Sequence, residues 1–214
     1  MDAAHAGSTA ILPEMRHHFD GCDRADSFVL NPHKWMFVPI DLSVFYTRKP
    51  DILERAFSLV HEYLKTGEDN EVINYMNYGI QLGRRFRSLK LWFLIRSFGV
   101  EGLQDRIREH LRLGKPFAGW IDESPFFQRL APVPFSTVCL RALVEGMGDM
   151  QLNEFNQKLM DEVNATGKVF LSHTKLDDIF TIRVVISSVR TTEEDVREVY
   201  ELLEEKRKQL ESEL

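Results

Sequence analysis

Residues Ser27–Leu30 form a short apolar run, Ser-Phe-Val-Leu, that stops at Asn31-Pro32 and is followed at once by His33, Lys34 and Trp35. A run this short, closed by Asn-Pro, reads as a buried strand, because the residue before a proline is pushed out of the helical region. The chain must therefore leave a strand with a lysine at its mouth, between a histidine and a tryptophan. Lysine is rarely buried, since its ammonium is costly to desolvate. At the end of a buried strand, against an aromatic ring, a depressed pKa and a nucleophilic amine can arise. A surface lysine that happens to follow a strand would look the same in isolation, so its neighbours decide.

The rest of the chain sets the frame. Residues 11–25 read as a short helix and turn, and 43–46 as a second strand, Ser-Val-Phe-Tyr. Pro50 opens a short helix through Phe57. Residues 59–77 lack a period, carry Gly67, Glu68, Asp69 and Asn70, and read as a long loop of the kind that is functional or disordered. Leu91, Leu94, Ile95 and Phe98 recur at helical spacing and predict a buried face, ended by Gly99. A second helix is expected over 101–121, strands over 126–129 and 137–141, and a helix over 152–165. Strands follow over 169–172 and 180–186. The last helix opens with the capping-box pair Thr191 and Glu194 and carries the stripe Val196, Val199, Tyr200 and Leu203. The texture changes near residues 84–91, beyond which the chain reads as a compact α+β unit of antiparallel strands with helices on one face.

Composition narrows the classes. The 214 residues are 43% hydrophobic and 28% charged, with a net charge of −6. That balance suits a globular chain with a real core and argues against a nucleic-acid binder or a protein of anionic membrane surfaces. Cys22 and Cys139 fit no metal or disulfide framework, which points to a reducing, cytoplasmic setting. No apolar run is long enough to span a bilayer. The first residues, Asp2-Ala3-Ala4-His5-Ala6-Gly7-Ser8, are small enough to let backbone or ligand approach closely, and suggest a chain that begins partway through a larger fold.

Four features carry chemistry. Asp2, at a strand end beside two alanines, can face a flat ring and hold a pyridine nitrogen protonated. Asn31 and His33 offer donors to a phosphate, and Lys34 is the residue type that forms a Schiff base with an aldehyde. The spacing between Asp2 and Lys34 suits neighbouring parallel strands whose carboxyl ends face one site. Tyr63, in the long loop, could donate a proton once the loop closes. The arginines of Leu82-Gly83-Arg84-Arg85-Phe86-Arg87-Ser88-Leu89-Lys90-Leu91-Trp92 could bind a carboxylate or phosphate, or form structural salt bridges.

These segments, with Phe170-Leu171-Ser172-His173-Thr174, occur in one order along the chain. Together they resemble the group II pyridoxal-phosphate-dependent amino-acid decarboxylases, most closely the aromatic-L-amino-acid branch. The resemblance implies an α/β fold: residues 1–90 as the C-terminal portion of the cofactor-binding large domain of fold type I (aspartate aminotransferase-like), and 91–214 as a small C-terminal α+β domain. It implies pyridoxal 5'-phosphate as cofactor, held by Lys34 as a Schiff base, with Asp2 on the pyridine nitrogen and Ala4 on the ring. It places Asn31 at the phosphate and His33 beside the lysine. Tyr63 matches the family's loop tyrosine, which related aldehyde synthases replace by phenylalanine, so the resemblance favours decarboxylation over oxidative deamination. Gly83 falls where plant relatives vary a small residue that tunes the aromatic substrate.

Family members are considerably longer, and form homodimers through a part that precedes this one. The same earlier part holds the phosphate loop and the histidine that stacks on the cofactor, and His5, His17, His18 and His61 are not expected to take that role. The chain is thus expected to carry an incomplete half of the site, inactive alone, acting with a complementary N-terminal half or within a homodimer. The expected reaction is decarboxylation of an L-amino acid, most simply aromatic, to its amine and CO2. Decarboxylation of glutamate, cysteine sulfinate or histidine is the alternative, as is a non-catalytic interaction subunit.

Overall fold

The computed structural model describes residues 1–58 and 71–213, which fall into two compact units, Met1–Leu103 and Gln104–Leu214. The expected loop tyrosine, Tyr63, lies outside the described residues.

In the first unit, strand β1 (Ser27–Leu30) pairs antiparallel with β2 (Val44–Thr47), from Ser27 opposite Thr47 to Leu30 opposite Val44. The start of the chain lies along the other edge of β1 in parallel. Asp2 is bridged to Val29, Ala3 N donates to Val29 O at 3.0 Å, and Asn31 N donates to Ala4 O at 3.0 Å. The parallel neighbours expected for Asp2 and the lysine segment are therefore present. The segment 11–25 differs from expectation: three successive 3-10 helices, Ala6–Ile11, Pro13–Phe19 and Cys22–Arg24, run from Ala6 onward. The first packs close to β1, and a Cβ added at Gly7 would lie 3.0 Å from Leu30 Cδ1 and 3.2 Å from Ala3 Cβ. Only glycine permits that approach without displacing Leu30.

Helix α1 is a single turn, Pro32–Trp35, with Pro32 in the first position, where its missing N–H costs nothing. Helix α2 is Pro50–Phe57, as its proline predicts. Helix α3, Arg87–Glu123, is interrupted at Gly99, whose φ of 67° and ψ of 175° lie outside the helical region. The glycine read as a helix end thus breaks one helix into the two expected segments.

Two burial expectations fail in this unit. Strand β1 is half-buried throughout rather than buried. Of the face expected to be buried, Ile95 is 38% exposed and Leu91, Leu94 and Phe98 are only half covered. The pattern gives the helix its apolar stripe, but the first unit's described residues do not supply enough apolar surface to cover it. Ile80, Phe86, Trp92 and Phe93 are also exposed.

The second unit is an antiparallel sheet in the order β3 (Phe127–Arg129), β4 (Thr137–Ala142), β6 (Ile179–Val185), β5 (Ser172–Leu176). Along β4, Val138, Leu140 and Ala142 alternate inward. They join Phe180, Ile182 and Val184 of β6 in one core with Leu113, Phe117 and Ile121 of α3. Phe155, Leu159 and Val163 of α4 (Asp149–Ala165) and Val196, Leu202 and Leu203 of α5 (Glu193–Glu211) complete it. The helices therefore share one face of the sheet, as read from the sequence.

Three asparagines of α4 pin this sheet to its helix. Asn156, fully buried, accepts from Ala142 N at 2.6 Å and donates to Ala142 O at 2.9 Å. Asn153 accepts from Phe180 N and donates to Asp178 O, and Asn164 does the same to both backbone groups of Leu171. The Asn164 clip accounts for a corrected boundary. Residues 169–172 were expected to be a strand, but Leu171's N–H and C=O are taken by Asn164, and the ladder begins at Ser172. The β5–β6 turn is Asp177-Asp178, both at positive φ (48° and 65°), the backbone twist that a two-residue hairpin needs. The α5 cap lies one residue later than expected: Thr192 Oγ1 accepts from Asp195 N, and Asp195 reaches back to Thr192 N.

No helix among the described residues is long and apolar enough to cross a membrane, and both cysteines are free thiols.

Candidate active site

The site is built at the ends of two adjoining parallel segments. Strand alternation sets Asp2 and Ala4 on one face and buries Ala3, 4% exposed, on the other. Ala4 N donates to Asp2 Oδ1 at 2.9 Å, which fixes the carboxylate at the strand end while leaving the residue exposed. On the neighbouring strand, Asn31 sits at the N-terminus of α1, and Lys34 N donates to Asn31 O at 2.9 Å. That bond closes the turn and carries Lys34 past the strand end.

Lys34 is exposed, not buried as a lysine at a buried strand mouth would be. The strand that precedes it is itself only half covered, so its end lies near solvent. Beneath it, Trp35 is fully buried and stacks on His5, with ring centroids 4.7 Å apart and planes 8° apart. This stack joins the two motifs, each ring being the residue that follows its motif's last polar or small member. His5 reads as an ordinary side chain in the sequence, and the signal that could have found it is this shared position.

Among the described residues, His33 is held by Leu42. Its Nδ1 lies 2.6 Å from Leu42 O and 3.0 Å from Leu42 N, and its backbone N donates to Leu42 O at 3.4 Å. Asp41, next to Leu42, receives Arg87: Nε and Nη2 both donate to Oδ2, at 3.1 and 2.8 Å. Arg85 lies 3.8 Å from the other carboxylate oxygen, and Lys90 Nζ donates to Pro39 O at 2.8 Å. Of the two uses open to the basic segment, the structure gives Arg87 the structural salt bridge. Gly83 is exposed, with open space where a Cβ would stand.

The Arg87 hydrogen bond is the main reason that the Asp41 carboxyl is held well below the usual range, at about 2. A carboxyl depressed in the folded state adds stability that is fully present above its unfolded value, ~3.9, and is lost as the pH falls through the folded one. Thermal midpoints of the wild-type and Asp41→Asn chains are therefore expected to differ near neutral pH and to converge between about pH 4 and about pH 2. An equal gap at both ends of that window would refute the ion pair.

The residue set suits an aldehyde cofactor with a ring nitrogen and a phosphate. It provides an accessible amine, a fixed carboxylate and, on the face of that carboxylate, the small side chain of Ala4. Asn31 Oδ1 is buried without a hydrogen-bond partner among the described residues. A half turn of that amide would aim Nδ2 there instead, a donor suited to an anion. The fold is that of the fold type I pyridoxal-phosphate proteins, and the residue types gathered here suit that cofactor.

Residues 1–143 match the model of the pyridoxal-dependent decarboxylase conserved domain, and the chain belongs to that family. It is 40% identical over 206 residues to aromatic-L-amino-acid decarboxylase of Catharanthus roseus, covering 95% of this chain and 41% of that protein. It is 39% identical to phenylacetaldehyde synthase of Arabidopsis thaliana, covering 96% of this chain and 42% of that protein. Among solved structures, Oryza sativa TDC with PLP and tryptamine superposes with a TM-score of 0.87 at 35% identity, covering 98% of this chain and 44% of that one. The chain thus spans less than half the length of the relatives it matches.

Proposed function

We propose that this chain supplies the lysine-bearing part of a pyridoxal-phosphate-dependent aromatic amino-acid decarboxylase, a carboxy-lyase that converts an L-amino acid to its amine and CO2. The observation that carries this reading is that the segment bearing Asp2 runs parallel beside the strand that leads to Lys34, with Asp2 bridged to Val29 and Asn31 N donating to Ala4 O. Residues 1–90 then belong to the cofactor domain and 91–214 to the small domain. The similarity to a structure holding tryptamine favours an aromatic substrate over glutamate, cysteine sulfinate or histidine.

Lys34 would hold the cofactor through Nζ, Asp2 would face its ring nitrogen, Ala4 its ring face, and Asn31 its phosphate. When bound, pyridoxal phosphate supplies an electron sink for the bond to the departing carboxylate. The chain's own residues set the conditions. The Asp2 carboxylate would hold a proton on the ring nitrogen, where a fixed negative charge favours the protonated form. Lys34 Nζ would supply the nucleophilic amine that holds the cofactor's aldehyde carbon. His33 lies next in sequence to that amine and orients groups around it. Tyr63 would deliver its hydroxyl proton to the substrate's α-carbon.

The partner is a complementary N-terminal half or a second full-length subunit, and the setting is cytoplasmic. The test is to combine the chain with a complementary N-terminal stretch from a relative, pyridoxal phosphate and L-tryptophan or L-tyrosine. Amine and CO2 in equal amounts are expected, with neither from the chain alone. Aldehyde with ammonia in place of amine would instead assign the chemistry of the aldehyde synthases, and binding without any product would leave an interaction subunit.

A further inference from the structure

We propose that Arg87 is a positioning residue for His33, acting through Asp41 and Leu42; the functional meaning of this rests on His33 belonging to the cofactor site described above. The contacts form one chain. Both backbone groups of Leu42 face His33 Nδ1, at 2.6 and 3.0 Å, so the ring's orientation follows wherever the Leu42 peptide lies. Residues 37–43 contain no helix or strand, so no ladder of backbone bonds fixes that peptide. Arg87 and Lys90 do so from the start of α3. Two guanidinium N–H groups converge on Asp41 Oδ2, the Lys90 ammonium takes Pro39 O, and the Leu42 side chain is buried at 4% exposure.

The Arg87 side chain is 23% exposed, against 45% for Asp41, so the pair is partly shielded from competing water. Charge-assisted bonds of this length are among the stronger polar contacts. Lysine could keep the charge at position 87 but would bring one compact ammonium in place of a planar fork, and so only part of the restraint. Without the pair, the Leu42 peptide loses its charged anchor and keeps only the Lys90 contact, its buried side chain and the long His33 N–H bond, so the imidazole beside Lys34 gains freedom to rotate. Asp41 and Arg87 touch neither the cofactor nor the substrate in this scheme; their effect is the orientation of a ring two links away.

The experiment is nitrogen-resolved NMR of the imidazole ring in the full 214-residue chain, without cofactor, with His33→Gln used to assign the signals. In the wild type, His33 is expected to show one fixed tautomer. In Arg87→Gln and in Asp41→Asn, its two ring nitrogens are expected to move toward averaged positions, with Arg87→Lys in between and the signals of the second unit unchanged. A ring spectrum in Arg87→Gln and Asp41→Asn identical to the wild type would overturn the proposal. Should Arg87→Gln fail to fold, Arg87→Lys and Asp41→Asn decide by the same readout. The ring signals need no cofactor, so the two readings fail separately. Moving signals with no cofactor captured at Lys34 would count against the cofactor site alone. Capture at Lys34 with unmoved signals would count against the positioning role alone.

Discussion

Lys34→Ala is expected to abolish amine formation by an enzyme assembled with this chain, a loss on the order of 10⁴-fold or more, the scale seen when a nucleophile is removed. Two other lysines of the first unit are occupied structurally: Lys49 pairs with Asp26 at 2.9 Å, and Lys90 binds the Pro39 carbonyl. Lys34 is exposed at the end of the segment that adjoins Asp2, so its loss should change stability by less than about 0.5 kcal/mol. Lys34→Arg separates charge from chemistry. Arginine keeps the positive charge but stays protonated and cannot act as the nucleophile. The arginine variant is therefore expected to be as inactive as the alanine one, as read by amine production. Recovery of activity in the arginine variant would make Lys34 an electrostatic residue and refute its assignment.

The largest structural effect is expected at Asn156. Its amide is buried and bridges α4 to the N–H and C=O of Ala142, the last residue of β4. Asn156→Ala leaves both backbone groups buried and unpaired, at about 1–3 kcal/mol each, so roughly 2–6 kcal/mol in total. Asn153→Ala removes a similar clip in a more exposed place, where water can replace it, and is expected to cost about 1 kcal/mol. Denaturant midpoints of the second unit, followed through Trp120, measure both. Equal losses for the two variants would show that burial of the Ala142 bridge does not set its contribution.

The sequence made most elements legible because their signals are local. Pro32 and Pro50 open helices, Gly99 breaks one, and the alternation along β4 orients it. The corrected parts depend on contacts between residues far apart. Strand β5 begins at Ser172 because Asn164, on another element, takes Leu171's backbone, and no strand propensity encodes that. The Arg87–Asp41 pair joins residues 46 apart, and an arginine-rich segment looks alike whether it binds a ligand or a neighbouring loop. Burial was misjudged for β1 and for the stripe containing Ile95, since an apolar pattern states which face seeks cover and not what covers it. At the candidate site, the residue types and their order were legible. The His5–Trp35 stack and the Leu42 grip on His33 were not, because each is a meeting of separate segments.

The most direct measurement of the central claim is where the cofactor attaches. The chain, assembled with a complementary N-terminal half, would be incubated with pyridoxal phosphate, reduced with borohydride, digested and mapped by mass spectrometry. The prediction is a single pyridoxyl group on the peptide that contains Lys34, lost in Lys34→Ala and diminished in Asp2→Ala. Label spread over several surface lysines, or label that persists unchanged in Lys34→Ala, would contradict it.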